Sequence, residues 1–330
     1  MYSLWSTASA LIFAALASSV LSHPSIESTQ LPLLIWHGLG DRFDADGIKA
    51  VATLAEKINP GTYVYPIHLS DDGGSDRTAT FYGNVTEQVQ QVCEDIAAHP
   101  VLSTAPALNA LGFSQGGLFL RVYAQRCNST PLWNLVTYGS PHNGISDFTG
   151  CKAGDWLCKG AMTLLRSNAW SSLAQSRLVP AQYYREINDT TLEPTDDYLE
   201  YSNLLADVNN ERELKNMTYA ERLAALNKLV MIEFADDTTV IPKESQWFSE
   251  VNGTSKEITP LRERSIYKED WIGLKKLDEK EGLEFRKTPG DHMQIGEGEL
   301  NKTFEEWFGP IKKYGTLTLQ DSQSKGSLEL

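Results

Sequence analysis

The sequence predicts an α/β fold in which a mainly parallel sheet is flanked by helices. From residue 31 to residue 138, short apolar segments typical of buried strands alternate with segments whose apolar residues recur every three or four positions. Strands and helices that alternate in this way form parallel sheets with helices on both faces. The alternation stops over about 145–228 and resumes with an apolar strand at 229–234, which predicts a helical insertion.

Length, composition and charge limit the classes of function. The 330 residues, of which 41% are hydrophobic, suffice for one large domain with a sizeable insertion and a large core. The net charge of −14 argues against nucleic acid and anionic membrane surfaces as partners, because both repel an acidic protein.

The first predicted elements follow directly from the apolar pattern. Segment 31–36 predicts a buried strand, and Asp44 or Asp46 can cap the helix that comes after it. Segment 63–67 predicts the next strand. The polar, glycine-rich segment 70–77 predicts a loop.

The middle of the chain continues the alternation. Asn84 and Glu87 form a capping-box-like start to a helix whose apolar residues recur at spacings of four, three and four. Segment 108–113 predicts a strand, 118–124 a helix, and 132–138 another strand. The predicted main domain covers residues 23–314, and the polar residues after it predict a loose tail at 315–330.

Residues 1–22 are predicted to be a signal peptide. The apolar run 11–21 is too short to span a bilayer, and Val20 and Ser22 suit the positions before a cleavage site. No Lys or Arg precedes the run, so a poorly formed membrane anchor is the alternative. No later segment is long and apolar enough to span a membrane, so we expect no integral membrane protein.

Four cysteines, an even number, permit three disulfide pairings. Six residues separate Cys151 from Cys158, which suggests a local loop clip. Cys93 and Cys127 end two successive predicted helices, and a bond between them would tie these helices together. Metal ligation is the less favoured alternative, because neither a CxxC pair nor clustered histidines accompany the cysteines.

Six N-x-Ser/Thr sequons follow the signal-like segment. A single sequon is common by chance, but six together support a glycosylated protein of the secretory pathway. The sequon asparagines are Asn84, Asn128, Asn188, Asn216, Asn252 and Asn301.

Segment 108–117 is the centre of the functional prediction. It contains Gly112-x-Ser114-x-Gly116 between a predicted strand and a predicted helix, which is the pattern of a nucleophile elbow. Glycines are needed because the sharp turn leaves no space for side chains, and the turn exposes the serine hydroxyl. Such patterns also occur by chance, so the interpretation depends on the partners available to Ser114.

A serine nucleophile needs a histidine base and a carboxylate that orients the base. In elbow hydrolases the acid follows a late strand and the histidine lies near the end of the chain. His292 satisfies this order, whereas His142 comes too early and is interpreted as a structural residue that helps shape the site. Either Asp236 or Asp237 can be the acid after the late strand. Asp291 adjoins the histidine in sequence and is a poor candidate.

Acyl transfer also requires two N–H donors for the oxyanion. One is expected to be the backbone N–H of Gln115, the residue after the nucleophile. The other is expected to be the N–H of Leu39, because the glycines on both sides of it let the backbone approach the substrate. An ordinary glycine-rich turn is the alternative interpretation of this early loop.

Several stretches together closely resemble the lysosomal palmitoyl-protein thioesterases, a family of α/β-hydrolases. The resemblance covers about residues 33–310, nearly the whole predicted mature chain. Many lipases share the elbow and oxyanion patterns, whereas the Trp-His-Gly-x-Gly-Asp run and the stretch Ala206–Arg212 are far more particular. The stretches are Ile35–Asp41, Gly112–Gly117, Ala124–Cys127, Leu204–Arg212, Gln246–Phe248 and Gly290–His292.

The resemblance implies an α/β-hydrolase fold and a role for each candidate residue. Ser114 would be the nucleophile, Asp237 the acid and His292 the base, with Leu39 and Gln115 as the oxyanion donors. The implied disulfides are Cys93–Cys127 and Cys151–Cys158.

The resemblance also implies the activity, namely removal of long-chain fatty acyl groups such as palmitate from cysteine residues of S-acylated proteins during lysosomal turnover. The insertion at about 145–228 would line a groove for the acyl chain, although some of its apolar residues would form its own core. We expect a monomer that needs no metal and no organic cofactor.

The chain departs from the family in three places. Residues 42–46 lack the adjacent cysteine pair of animal members, and the segment 70–77 and the C-terminal tail also differ. A lipase or carboxylesterase that acts on oxygen esters is the nearest alternative function, and a non-catalytic lipid carrier is the alternative of another class. The expected destination is the lysosome or vacuole, with secretion as the alternative.

Overall fold

The computed structural model of the protein describes residues 28–147 and 154–312. The sheet, its helices and the candidate site belong to one unit, Gln30–Ile311. The strands are β1 (Ser28–Thr29), β2 (Leu33–Trp36), β3 (Val64–Pro66), β4 (Leu108–Phe113), β5 (Leu132–Tyr138), β6 (Lys228–Phe234), β7 (Glu250–Val251), β8 (Ile258–Thr259), β9 (Leu283–Thr288) and β10 (Ile311–Lys312).

Helices connect the strands of the sheet. Short 3-10 helices occur at Val179–Tyr183, Lys243–Trp247 and Leu261–Glu263. The α-helices are α1 (Asp46–Ile58), α2 (Gly73–Ala79), α3 (Val85–Ala98), α4 (Gln115–Arg126), α5 (Trp156–Ser167), α6 (Ser172–Arg177), α7 (Asp196–Tyr201), α8 (Leu205–Val208), α9 (Met217–Ala224), α10 (Ser265–Lys268), α11 (Leu274–Glu279) and α12 (Glu297–Trp307).

The predicted α/β fold with a parallel sheet is confirmed. Six strands pair in the order β3-β2-β4-β5-β6-β9, and every pair is parallel. Trp36 lies opposite Gly112 in the register of β2 and β4, and Phe113 lies opposite Tyr138 in that of β4 and β5. The carboxyl ends of these strands therefore meet at one edge, where ligands bind in sheets of this type.

Each face of the sheet is buried by a different set of helices. Leu33 and Ile35 of β2 belong to a cluster that includes α1 and α12, whereas Leu34 and Trp36 belong to a cluster that includes α3, α4 and the insertion. Successive side chains of a strand point to opposite faces, so this strand is apolar on both sides and does not alternate with polar residues.

The insertion between β5 and β6 consists, within the described residues, of α5 to α9, one 3-10 helix and loops. Met162 and Leu165 are buried in a small cluster of their own, together with Phe81 from outside the insertion. Leu173, in contrast, is exposed. Several apolar residues of the insertion thus form its own core.

Two local predictions were wrong. Segment 70–77 is not wholly a loop, because α2 begins at Gly73 and Asp72 caps it by accepting the N–H of Ser75 at 2.8 Å. Neither Asp44 nor Asp46 caps α1, because Ala45 occupies the cap position and no side chain bonds there. By contrast, the Asn84 part of the predicted capping box of α3 is confirmed, since Asn84 accepts from the amides of Thr86 and Glu87.

The disulfide Cys93–Cys127 is confirmed and joins the end of α4 to α3 across 34 residues. Cys151 lies outside the described residues, so the pair Cys151–Cys158 stays a prediction. The predicted signal peptide 1–22 and tail 315–330 also lie outside the described residues. None of the helices within 28–147 and 154–312 is both long and apolar enough to cross a bilayer.

The six sequon asparagines differ in exposure, and exposure determines whether the folded surface can carry a glycan. Those on the surface are Asn128, Asn188 and Asn216, whereas Asn84, Asn252 and Asn301 are half-buried.

Candidate active site

Ser114 lies in the turn between β4 and α4. Its φ of 51° and ψ of −123° are a strained conformation for a residue with a side chain. A Cβ on Gly112 would lie 2.2 Å from the Cα of Gly117, and a Cβ on Gly116 would lie 2.3 Å from the oxygen of Trp36. These glycines are therefore required by close packing, which fixes the position of the serine hydroxyl.

The side chains of Ser114, His292 and Asp237 form a hydrogen-bonded chain. Nε2 of His292 is 2.9 Å from Oγ of Ser114, and Nδ1 of His292 is 2.7 Å from Oδ2 of Asp237. The Asp237 side chain is fully buried and the His292 side chain is 11% exposed. Because a carboxylate accepts hydrogen bonds, the proton belongs on Nδ1 and leaves Nε2 free to accept from the serine.

Asp237 is held in place by groups whose role the sequence alone does not indicate. Its Oδ1 accepts the N–H groups of Thr239 and Val240 at 2.8 and 2.9 Å. Its Oδ2 accepts Nε2 of Gln246 at 2.8 Å, and Gln246 in turn accepts the N–H of Phe234. The carboxylate therefore faces His292 without rotational freedom.

The other two acidic candidates have different surroundings. Asp236 is exposed, as expected for a solvated turn residue. Asp291 accepts the N–H of Thr238 at 2.8 Å and the backbone N–H of His292 at 2.7 Å, so it shapes the loop beneath the histidine.

The two expected oxyanion donors flank the serine. Within the described residues, neither the N–H of Leu39 nor that of Gln115 has a protein acceptor. The loop with Leu39 lies directly against the elbow, because a Cβ on Gly38 would be 3.1 Å from Cβ of Ser114. The N–H of Gln115 also belongs to the first turn of α4, where the helix dipole favours negative charge.

Helix α2 holds the loop that carries Leu39, here called the oxyanion loop (His37–Asp41). The N–H of Gly40 donates to Oγ1 of Thr80 at 2.8 Å, and its carbonyl accepts Nε of Arg77 at 2.8 Å. Nε2 of His37 is 2.9 Å from Oδ2 of Asp76. His37 and Gly40 of the loop are thus bound to α2 and to Thr80, the residue that follows it.

Asp76 is the buried centre of this arrangement. Its side chain is fully buried and also accepts the N–H groups of Leu69 and Phe43 at 2.8 and 2.9 Å. Burial raises the pKa of Asp76, but the hydrogen bonds from His37 and the two amides outweigh burial and bring the pKa below its ordinary value. The carboxylate is therefore stabilised in its charged form.

Ser114 and His292 open into a cavity of about 1140 Å³, whose walls come from two groups of residues. The first group includes Leu39, Phe81 and Cys158, which belong to the apolar cluster of the insertion. The second group comes from α1 and from the segment that leads from His292 into α12, and it belongs to the cluster on one face of the sheet.

A comparison with known protein families gives one match that covers most of the chain. Residues 32–292 match the family model described as palmitoyl protein thioesterase. The chain belongs to this family.

Named relatives agree. Palmitoyl-protein thioesterase 1 of Caenorhabditis elegans is 37% identical over 282 residues, which are 84% of this chain and 92% of that protein. Palmitoyl-protein thioesterase 3 of Dictyostelium discoideum is 31% identical over 81% of this chain and 87% of its own length. A palmitoyl-protein thioesterase-dolichyl pyrophosphate phosphatase fusion of Schizosaccharomyces pombe is 35% identical over 88% of this chain and 45% of its own length.

One of the stretches that carry the resemblance to this thioesterase family links the elbow helix to the insertion. Arg121 on α4 is fully buried and donates to Oδ1 of Asn209 at 2.9 Å. It also donates to the carbonyl of His142 at 3.1 Å. The Leu204–Arg212 stretch thereby fixes the back of the helix that begins at the nucleophile candidate.

His142 of this family member is buried and lies outside the hydrogen-bonded chain of Ser114. Its Nε2 is 3.0 Å from Oγ1 of Thr137, and its ring stacks on Phe248 with centroids 5.1 Å apart. Burial and the nearby charge of Arg121 keep the pKa of His142 well below its ordinary value. These contacts are those of a neutral, structural histidine.

A buried ionic network joins the insertion of this family member to β7 and was not predicted from the sequence. Nε of Arg185 donates to Glu211 at 2.9 Å, and the guanidinium also donates to Glu250 at 2.5 Å. Arg264 donates to Glu250 at 3.1 Å. No periodicity identifies such partners, because they lie 14 to 65 residues apart.

Among the residues that the structure describes, no group of three or more His, Cys, Asp or Glu side chains is arranged to hold a metal ion.

Proposed function

We propose that this protein hydrolyses the thioester bond between a long-chain fatty acyl group, such as palmitate, and a cysteine of an S-acylated protein or peptide. The observation that carries the proposal is the chain of hydrogen bonds from Ser114 through His292 to Asp237, next to two backbone amides that have no acceptor among the described residues. Membership of the palmitoyl protein thioesterase family supports the same reaction.

In the first step, Oγ of Ser114 attacks the carbonyl carbon and Nε2 of His292 takes its proton. The N–H groups of Leu39 and Gln115 stabilise the oxyanion, and each such donor is worth about 3–4 kcal/mol. Collapse of the intermediate breaks the carbon–sulfur bond, and His292 gives its proton to the departing sulfur. Asp237 keeps the imidazole in the tautomer that this exchange needs.

In the second step, water attacks the acyl group on Ser114. His292 takes a proton from the water and returns it to the serine oxygen as the fatty acid leaves. No bond in either step requires a redox or metal cofactor, because the departing thiolate is a good leaving group with an ordinary pKa of about 8.5.

The acyl chain is proposed to lie along the wall formed by Leu39, Phe81 and Cys158. These residues pack with the buried apolar cluster of the insertion, so an alkyl chain there stays out of water. Each buried CH₂ group contributes about 0.8 kcal/mol, so the preferred chain length follows the length of this wall.

The cellular setting is proposed from the sequence and the family. The predicted signal peptide at 1–22, the disulfide Cys93–Cys127 and six sequons support passage through the secretory pathway to a lysosome or vacuole. A monomer is proposed. Treatment of protein secreted from a eukaryotic host with an N-glycosidase is expected to lower its mass, with the exposed Asn188 among the sites.

The substrate class is tested by comparing a palmitoyl-cysteine peptide with the same peptide acylated on serine, with Ser114→Ala as the control. We expect the thioester to be cleaved much faster, and the variant to lose activity by about 10⁴-fold or more. Preference for the oxygen ester would indicate a lipase or carboxylesterase. Cleavage of neither ester would favour a lipid carrier.

A further inference from the structure

We propose that a groove between α1 and α12 binds the polypeptide on either side of the acylated cysteine. The inference rests on the proposed function and assigns the part of the cavity that this function leaves unused. The α1–α12 groove is defined by cavity-lining residues on these two helices and the segment after His292, namely Val51, Leu54, Lys57, Ile295, Glu297 and Leu300.

The position of the leaving sulfur follows from the chemistry of the second proton transfer. To receive a proton from Nε2 of His292, the sulfur must lie within about 3 Å of that nitrogen. The oxyanion is directed instead towards the amides of Leu39 and Gln115. The sulfur and the cysteine that carries it therefore lie on the side of His292. The acyl chain extends in the third direction, away from both His292 and the two amides.

The groove begins at this point. Met293, the residue after His292, lines the cavity, and so do Ile295 and Leu300 further along the same segment. Val51 and Leu54 of α1 pack in the same apolar cluster as these side chains and line the same cavity, so both helices contribute to its wall. A substrate that places its sulfur at His292 thus has its peptide chain at the entrance of the groove.

The composition of the walls suits a polypeptide better than an alkyl chain. The exposed side chains of Lys57 and Glu297 lie beside half-buried Val51, Leu54 and Leu300. An alkyl chain is stabilised by continuous apolar burial, whereas a peptide presents both apolar side chains and polar backbone. The wall around Leu39 and Phe81 also has two charged side chains, Arg77 and Asp155, but these pair with each other at 2.6 Å. The apolar residues of that wall belong to a buried cluster.

The groove also has a length that suits a short peptide. Its lining residues on α1 run from Gly47 to Lys57. At a rise of 1.5 Å per residue this span is about 15 Å, which corresponds to about four residues of extended peptide. Recognition is therefore expected to reach about four residues from the acylated cysteine.

Two palmitoyl thioesters test the proposal in the full-length protein. One is a peptide with about four residues on each side of the S-palmitoyl cysteine, and the other is palmitoyl-N-acetylcysteamine, which contains no peptide. Leu54→Gln makes one wall polar, and Lys57→Glu reverses the charge at the far end. Lys49→Glu is the matched control, because Lys49 is exposed on the same helix and does not line the cavity. Urea unfolding verifies that each variant is folded.

We expect Leu54→Gln to lower the ratio of kcat/KM for the peptide to kcat/KM for the small thioester by about tenfold. The ratio for Lys49→Glu should equal that of the wild type. Lys57→Glu should lower the ratio for a peptide with acidic flanking residues and raise it for one with basic flanking residues.

Two results would overturn the proposal. If Leu54→Gln keeps the wild-type ratio but shifts the preferred acyl length in a series of small thioesters, the groove binds the acyl chain. If neither the ratio nor the preferred length differs from the Lys49→Glu control, the groove binds neither part of the substrate. A wild-type protein that cleaves neither thioester would contradict the proposed function itself, and this inference with it.

Discussion

Replacing Thr80 by valine tests whether the oxyanion loop must be held by the α2 segment. Thr80 is buried, and its Oγ1 accepts the N–H of Gly40 at 2.8 Å while donating to the carbonyl of Arg77 at 2.7 Å. Valine has nearly the same shape but no oxygen, so the amide of Gly40 loses its acceptor. Leu39 precedes Gly40 directly, and its N–H is expected to lose its fixed direction.

The size of the effect follows from the contact that is lost. A hydrogen bond between neutral groups contributes about 0.5–1.5 kcal/mol, and a buried donor left without a partner costs about 1–3 kcal/mol. Gly40 is only half-buried, so a loss of about 1–2 kcal/mol is expected. This is less than the roughly 3–4 kcal/mol of a complete oxyanion donor. Since about 1.4 kcal/mol corresponds to tenfold in rate, kcat should fall about tenfold.

The assay is steady-state hydrolysis of a palmitoyl thioester by the wild type, Thr80→Val and Thr80→Ser. KM should change less than kcat, because Thr80 does not line the cavity. Thr80→Ser keeps the oxygen and should stay close to wild type. If folded Thr80→Val keeps the wild-type kcat, or if Thr80→Ser loses as much activity as Thr80→Val, the hydrogen bond from Gly40 to Thr80 does not position the oxyanion loop.

Three further predictions concern the acid, the buried carboxylate of α2 and the disulfide. Gln246→Leu removes a donor to Asp237 and should lower kcat about tenfold in thioester hydrolysis. Because the pKa of Asp76 is lowered from 3.8 in the folded protein, its stabilisation is present above about pH 4 and is lost as the pH falls through the lowered pKa. The free energy of unfolding, measured in urea, should therefore fall less steeply in Asp76→Asn than in the wild type as the pH decreases below about 4. Cys93→Ser together with Cys127→Ser should lower that free energy at neutral pH by about 4 kcal/mol, from the 34-residue separation.

Each of these predictions has a clear contrary outcome. An unchanged kcat in Gln246→Leu would show that the backbone donors alone position Asp237. If the unfolding free energy of Asp76→Asn falls with decreasing pH as steeply as that of the wild type, other carboxylates cause the acid sensitivity. A double cysteine variant as stable as the wild type would mean that packing of the two helices suffices.

The sequence predicts best those elements whose apolar pattern is strong. The predicted strands 108–113 and 132–138 have the bounds of β4 and β5, because both are buried along almost their whole length. The edge strand β9 gives no such signal, since its charged residues Arg286 and Lys287 are exposed. Helix α2 was missed because its polar and glycine-rich sequence is stabilised by tertiary contacts of Asp76, Arg77 and Thr80.

In the candidate site, too, some residues can be predicted from the sequence and others cannot. Ser114 and His292 follow from the elbow pattern and the order of the chain, whereas the choice of Asp237 over Asp236 came from the family resemblance. Only the structure distinguishes the two residues by their positions, because the Asp237 side chain is buried against His292 and Asp236 is exposed. The role of Gln246 in holding the acid depends on a contact across nine residues that has no periodic signature.

The chemical state of Ser114 during the first turnover shows most directly whether this serine is the nucleophile. Wild-type protein is mixed rapidly with an S-palmitoyl peptide, quenched in acid, and mapped by mass spectrometry after proteolysis. We expect a palmitoyl group on the peptide that contains Ser114, formed together with the free thiol, and neither product in Ser114→Ala. Release of thiol without acylation of Ser114, or undiminished release by Ser114→Ala, would show that Ser114 is not the nucleophile.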